Sequence, residues 1–283
     1  MTVTLADIRA AADLLLGVAH RTPALRSETF SREAGCEVHL KFENQQKTGS
    51  FKIRGAFAKI RSLSDAQRAS GVIAPSAGNH AQAVAWAARR AGVPAVVYMP
   101  LAASLAKISA TESYGATVRL EGVNVDETVA AARAEADATG MTLVHPFDDP
   151  VVIAGQGTVG LELLADVPDA DTVVVPLGGG GLLSGVAAAV KALRPDVRVV
   201  GVEAAGCAPY VASLEHGEIK PVHQTETIAD GIAVKRPGEI TFPMIRELVD
   251  DVVTVTDAEI GRTIVALLER GKTVVEGAGA VGL

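Results

Sequence analysis

A chain of 283 residues with 48% hydrophobic and 21% charged positions can bury one large core or two moderate ones, which suits a globular protein of two lobes. A net charge of −7 with no compensating Lys/Arg run excludes the electrostatic footprint of a nucleic-acid binder. No stretch approaches the roughly 20 apolar residues of a membrane span, and "MTVTLADIRAAADLLLGVAH" has no basic leader with an apolar core, so the expected location is the cytoplasm, off any membrane.

In chain order, Thr4 caps a helix predicted over 4–17 with Asp7 in its first turn. The run "EVHLKF" then reads as a strand and 51–63 as a helix. Next come the apolar runs "GVIA", "PAVVYM", "ATVRL", "MTLVHP" and "DTVVVP", followed by predicted helices over 79–91, 104–114, 124–139, 150–165 and 181–194. The runs "VRVVGVE" and "DVVTV" and a helix over 257–270 complete the pattern. Short continuous strands followed by alanine-rich helices give an α/β fold with parallel sheets covered by helices. There are too many strands for one small sheet. The expected division is a smaller lobe over 71–148 inserted into a larger one made of 1–70 and 149–283, with no repeat or low-complexity linker.

Three stretches carry chemistry. Between the strand "VVVP" and a helix start lie Gly178, Gly179, Gly180 and Gly181. Such a run lets successive N–H groups point into one concavity, where the helix dipole adds to them, and an anion, most simply a phosphate, fits there. A purely structural turn needs only one or two glycines. No Gly-Lys-Ser/Thr follows, which excludes a P-loop, but Gly179, Gly181 and the small Ser184 keep the spacing of a dinucleotide site, with Glu203 placed as a ribose-binding acid. Within that window a dinucleotide and a simple phosphate cofactor stay open. The second stretch, "KTGSFKIRGAF" (47–57), places Lys52 at a glycine- and serine-marked helix start, with Arg54 close behind; a lone lysine there would ordinarily be a solvated charge. The third, "APSAGNHAQAVAWAA" (74–88), brings Ser76, Asn79 and His80 to a helix N-terminus, which suits a carboxylate ligand, although Ser and Asn also serve there as plain caps.

Taken together, in this order, the lysine, the Ser-Ala-Gly-Asn-His loop and the tetraglycine turn resemble the fold type II pyridoxal-phosphate enzymes. Within them the chain looks most like the threonine/serine dehydratases, or threonine ammonia-lyases, with serine racemases as near neighbours. "LKFENQQKTGSFKIRGAF", "SAGNHAQA", "HPFDD", "IAGQGTVGLEL", "GGGGLLSG" and "TIADGIAVKRPGEIT" spread the resemblance over nearly the whole chain. It implies two lobes, each with a mainly parallel twisted sheet, a pyridoxal 5′-phosphate cofactor, a small amino-acid substrate and a homo-oligomer, dimer or tetramer. By resemblance, Lys52 holds the cofactor as a Schiff base and then removes the Cα proton, Phe51 packs beside the pyridine ring, and Asn79 bonds its phenolic oxygen. Gly178, Gly179, Gly180 and Gly181 hold the phosphate, while Ser76, Asn79 and His80 hold the substrate carboxylate and the Gly231 region lies near the substrate amine. The implied reaction converts L-threonine or L-serine to a 2-oxo acid and ammonia. An NAD-dependent oxidoreductase and a catalytically silent cofactor-binding protein are the readings from other classes.

Three departures qualify the resemblance. The family continues past "VVEGAGAVGL" through a further strand and helix that carry the Ser or Cys facing the pyridine nitrogen, so no residue here is assigned that role, and no regulatory domain is expected. Some relatives bind a divalent cation through an acid at the position of Glu203 and a second acid a few residues on; here Pro209 falls at the second place, so no tight metal site is expected and Glu203 is expected to cap its strand. Racemases carry a second serine where this chain has Ala77, which cannot exchange a proton. Other residues take plainer readings: Trp86 as core, His20 and His145 as structural, Lys235 and Arg236 as a solvated loop, Cys36 and Cys207 as buried free thiols, and "HRTP" (20–23) as a lining of the substrate entrance.

Overall fold

Most helix starts follow from a local side chain. In the computed structural model, which describes residues 3–223 and 225–283, Thr4, Ser27, Ser64, Ser104, Asn124, Asp149 and Thr256 each accept a hydrogen bond from an N–H of the helix that follows. Thr4 and Asp7 form a reciprocal capping box, as the sequence suggests. The helices expected from periodicity are present, at Leu5–Leu15, Lys52–Arg61, Asn79–Ala91, Leu105–Ser113, Val125–Thr139, Pro150–Asp166, Gly181–Leu193 and Asp257–Glu269.

The strands form three sheets. β1 (Ala24–Arg26) and β2 (His39–Lys41) pair antiparallel. β3 (Val72–Pro75), β4 (Ala95–Met99), β5 (Thr117–Leu120) and β6 (Thr142–Leu143) form a parallel sheet in the order β5-β4-β3-β6. β7 (Thr172–Pro176), β8 (Arg198–Ala204) and β9 (Asp251–Val255) form a second parallel sheet in that order. The α/β expectation holds, and it overlooks two kinds of element. β1 and the Glu28–Ala34 helix are too short for a periodic signal. The helices Pro209–His216 and Thr241–Leu248 take their first-turn acceptors from remote residues: Glu203 accepts from the N–H groups of Tyr210 and Val211, and Asp148 from those of Glu239, Ile240 and Thr241. Among the described residues, no helix is long and apolar enough to cross a membrane.

The helix Pro150–Asp166 is buried from Val152 to Gly160 and is the element on which the other two site-bearing helices rest. On one side, a Cβ at Gly155 would lie 2.6 Å from Gly55 Cα and 2.7 Å from the Arg54 carbonyl oxygen of the Lys52 helix. On the other, a Cβ at Gly185 would meet the Ile153 carbonyl and lie 2.6 Å from Gly157 N, so the Gly181–Leu193 helix also packs backbone against backbone. Both contacts need hydrogen in place of a methyl group.

A charged cluster ties the same helices to the N-terminal segment. Arg54, 1% exposed, binds both carboxylate oxygens of Glu43 (2.9 and 2.7 Å) and both of Glu162 (2.6 and 3.0 Å), and reaches Thr158 Oγ1 and the His20 carbonyl. Burial opposes its charge, but the bonds to Glu43 and Glu162 outweigh it and push the guanidinium pKa above its ordinary value. This cluster also corrects one expectation. His20 and Thr22 are bonded to Gln46 and Glu43, and none of residues 20–23 lines the cleft between the two larger sheets.

Replacing Gly155 by Ala tests the close packing. In an open helix that change gains about 1 kcal/mol, but here the methyl group would meet the Lys52 helix backbone. Denaturant unfolding should show a net loss of about 1–3 kcal/mol; an unchanged or raised stability would refute the contact.

Candidate active site

Two helices that start at a glycine, with no side-chain cap, open onto the same cleft. The helix Asn79–Ala91 starts at Gly78 and the helix Gly181–Leu193 at Gly180, each without a side-chain cap. Among the described residues, no protein acceptor takes the N–H groups of Ala77, Asn79, His80 and Ala81 at the first, or of Gly178, Gly179, Gly180, Gly181, Leu182 and Leu183 at the second. A helix start leaves such donors for water, a cap or a ligand, and the dipole adds positive potential. The cleft therefore contains two helix N-termini whose free donors suit an anion.

The glycine turn is shaped as well as uncapped. Gly180 sits at φ +92°, in the left-handed region, and a Cβ there would collide with the Tyr210 hydroxyl. A Cβ on Gly179 would strike the Phe147 ring, and one on Gly178 would lie 2.9 Å from Ile232 Cα. At these three positions no side chain larger than hydrogen fits without a shift of its neighbours.

Lys52 enters the cleft from the first turn of its helix, behind Phe51, whose ring centroid lies 5.3 Å from Nζ. Its ammonium donates to the Pro146 carbonyl at 2.9 Å. Burial lowers its pKa from 10.5 to about 8, with Glu276 pulling the other way. The cleft thus holds an amine that is neutral in an appreciable fraction near neutral pH.

The remaining candidates gather around it. Ser76 Oγ accepts from Gly78 N at 3.2 Å, so it closes the loop before the helix. His80 Nε2 donates to the Val144 carbonyl at 2.8 Å; burial and the nearby Lys52 hold its pKa down at about 3, so the ring is neutral. Asn79 Nδ2 donates to Glu276 Oε1 at 2.7 Å. Gly231 also lines the cleft, and its Cβ position would lie 3.2 Å from the same Glu276 oxygen. Lys52, Phe51, Ser76, Ala77, Asn79, His80, Gly178, Gly179, Gly180, Gly181 and Gly231 therefore all face one space, although they come from four separate stretches of sequence.

Glu276 is the residue the sequence reading overlooks. It stands at the start of the short helix Gly277–Ala280, and its carboxylate meets Asn79 across 197 positions of sequence. The acid in "VVEGAGA", placed just before a glycine- and alanine-rich helix start, is the only sequence signal for it.

Other expectations change. Glu203 is fully buried in β8, and both of its oxygens cap the helix Pro209–His216, so it caps that helix and not its own strand. Its desolvation raises its pKa to about 7, and it does not line the cleft, which removes it as a ribose-binding acid and as a metal ligand there. Among the described residues, no group of three or more His, Cys, Asp or Glu could hold a metal ion. His145 lines the cleft, and its Nδ1 accepts from the N–H groups of Phe147 and Asp148, a structural use. Trp86 is only half-buried, at the edge of the core against Phe57 and under the Lys47 ammonium. Cys207 is buried, but Cys36 is exposed, contrary to expectation. Lys235 and Arg236 are exposed in a loop, as expected, along the rim of residues that line the cleft, and Arg236 pairs with Glu239 at 2.5 Å.

The comparisons with known proteins agree with this geometry. The L-threonine ammonia-lyase of Thermotoga maritima is 51% identical over 281 residues, spanning 99% of this chain and 70% of that protein. The crystal structure of a T.th. threonine deaminase superposes with a TM-score of 0.94 at 44% identity, covering 98% of this chain and 90% of its own. Maize serine racemase superposes with a TM-score of 0.97 at 38% identity, covering 100% and 85%. A buried amine, two uncapped helix starts in one cleft and a family match across residues 15–283 lead to one assignment: the chain belongs to the pyridoxal-phosphate dependent enzymes.

Proposed function

We propose that this protein converts L-threonine, and L-serine, to the corresponding 2-oxo acid and ammonia. The observation that carries the reading is the pairing of two anion-binding helix starts with one desolvated lysine, which matches a cofactor phosphate, a substrate carboxylate and a carbonyl-reactive amine. The cofactor fits the residues present, since the unpartnered N–H groups of Gly178 to Leu183 offer a concave donor set with no side chain in the way. Bound pyridoxal phosphate supplies an aldehyde for amine capture and a ring that delocalises the electron pair left when the α-proton departs.

In this reading Lys52 is the attachment point and the base. Its lowered pKa makes the neutral amine available, and that amine accepts the α-proton at Nζ. Phe51 covers one side of the approach to Nζ. The N–H groups of Ala77, Asn79, His80 and Ala81, with the Ser76 and Asn79 side chains, orient the substrate carboxylate, while neutral His80 holds the loop to Val144 and adds no charge. Near Gly231, the Glu276 carboxylate offers an anionic partner to the substrate ammonium as it arrives. The β-hydroxyl leaves as water and a water is later taken up as ammonia is released, so the net products are the 2-oxo acid and ammonia.

Serine racemase is the competing assignment within the same fold, and Ala77 weighs against it. Reprotonating the α-carbon from the side opposite Lys52 needs a proton donor, and a methyl group lining the cleft has none. The threonine ammonia-lyase and threonine deaminase relatives support the same choice.

Substituting Lys52 by Ala should lower ammonia release by at least about 10³-fold and remove the absorbance of the lysine-bound cofactor. Turnover close to that of the unmodified enzyme would refute the assignment.

Cofactor uptake should also report the lowered lysine pKa. The protonated amine does not react, so with the cofactor-stripped chain the uptake rate should climb as pH rises through about 8 and level off above it. A rate that keeps climbing through pH 10 would show an unperturbed lysine.

A77S should raise the ratio of D-serine to pyruvate formed from L-serine by on the order of 10²-fold while elimination continues. The check is a chiral assay run beside a pyruvate assay. Abundant D-serine from the unmodified protein would instead favour the racemase.

A further inference from the structure

A turn of four glycines is the loosest backbone a chain can offer, yet this one must present its N–H groups in a fixed array. The peptide between Gly179 and Gly180 is the critical one, because glycine on both sides lets it rotate with little steric resistance. On the side away from the cleft its carbonyl is gripped. Tyr210 Oη and Thr241 Oγ1 lie 3.0 and 2.9 Å from the Gly179 oxygen and 2.7 Å from one another. Both residues are fully buried. In a trans peptide the C=O and the following N–H point in opposite directions, so holding the Gly179 carbonyl against this pair turns the Gly180 N–H away from it.

We propose that Tyr210 and Thr241 are positioning residues for the cofactor phosphate, locking the Gly179–Gly180 peptide so that the cradle is formed before the ligand arrives. The proposal rests on the assignment of Gly178 to Gly181 to the phosphate. The pair is itself well anchored. Glu203 accepts from Tyr210 N at 3.0 Å and from Val211 N at 2.9 Å, which fixes the start of the tyrosine's helix. Thr241 Oγ1 accepts from Gly238 N at 3.2 Å, and Asp148 accepts from Thr241 N, also at 3.2 Å. Burial raises the tyrosine pKa, so its hydroxyl stays a donor. Donation into the carbonyl also polarises the peptide and strengthens the Gly180 N–H as a donor to an anion.

The proton count sets the expected pattern of effects. The two hydroxyls have one proton each for three O···O contacts, so one donates to the Gly179 oxygen and the other donates to its neighbour or shares the carbonyl. Removing either hydroxyl leaves the other free to donate to the carbonyl. Removing both strips it of donors. The two losses should therefore be strongly non-additive.

The test uses the full chain, stripped of cofactor and titrated with pyridoxal 5′-phosphate and, separately, with pyridoxal, which lacks the phosphate. Y210F, T241V, the double variant and T241S are compared with the unmodified chain. The double variant should bind pyridoxal phosphate about tenfold more weakly or worse, with pyridoxal affinity unchanged. Each single variant should lose less, and T241S, which keeps the hydroxyl, should match the unmodified chain. A merely structural role would weaken both ligands alike, and that result, or an unchanged preference in the double variant, overturns the proposal. Should the double variant fail to fold, a phosphate-selective loss in the single variants supports the proposal and an equal loss for both ligands overturns it. An unmodified chain that binds pyridoxal as tightly as pyridoxal phosphate would refute the cradle assignment itself, an outcome distinct from failure of the clamp.

Discussion

Everything in the cleft depends on helices that touch backbone to backbone. The Pro150–Asp166 helix approaches the Lys52 helix through Gly155 and Gly55, and the glycine-turn helix through Gly157 and Gly185. Side chains interposed at these points would hold the helices farther apart and allow rotamer changes to shift them. With glycine on both surfaces, the separation of the three axes is fixed by main-chain contact, and Lys52 and the tetraglycine turn are referred to one rigid frame. The Arg54 cluster adds orientation to distance, since its bidentate bonds to Glu43 and Glu162 resist rotation of the Lys52 helix about its own axis.

In the proposed site, the electrostatics of the cleft follow from holding anions with backbone instead of cationic side chains. An Arg or Lys beside the phosphate would place a second positive charge near Lys52 and depress its pKa further, at the cost of desolvating two cations in one space. Uncapped N–H groups at Gly178 to Leu183 and at Ala77, Asn79, His80 and Ala81 supply short-range positive potential without a titrating group. Neutral His80 fits the same logic, because a charged imidazolium would compete with the lysine it faces. Glu276 is the counterweight. It raises the lysine pKa against burial and leaves the amine poised near 8.

The local features of this site were legible in the sequence, and the long-range ones were not. Lys52, the Ser-Ala-Gly-Asn-His loop and the tetraglycine turn each sit at a strand–helix or loop–helix junction, where residue type and spacing within a dozen positions reveal an uncapped helix start. The Gly55–Gly155 and Gly157–Gly185 contacts, the Tyr210–Thr241 pair and Glu276 all join residues far apart in the chain, and beyond the acid before a glycine- and alanine-rich helix start nothing in their own neighbourhoods marks them. Glu203 shows the converse error. Its place after a glycine turn and a helix fits a ribose-binding acid, but its carboxylate turns inward to cap a helix whose own start, at Ala208, has no capping side chain. The 20–23 segment misled for the same reason, since a His-Arg-Thr-Pro run gives no hint that Arg54 and Glu43 will claim its backbone and hydroxyl.

Fold alone does not choose the reaction. A serine racemase and a threonine deaminase superpose on this chain with TM-scores of 0.97 and 0.94, so the frame, the lysine and both anion cradles are compatible with either outcome. With Lys52 as the proposed base, what differs is the fate of the electron pair once the α-proton has moved to it. Returning a proton to the opposite side requires a donor within hydrogen-bond reach of the α-carbon, and in the proposed reaction that place falls to the loop of Ala77, a cleft-lining residue whose methyl group has no proton to give. With that route closed, the reaction can reverse through Lys52, which regenerates the substrate, or lose the β-hydroxyl, which is the only step leading to product. In the proposed reaction, a single missing hydroxyl thereby commits to elimination a scaffold that could otherwise racemise.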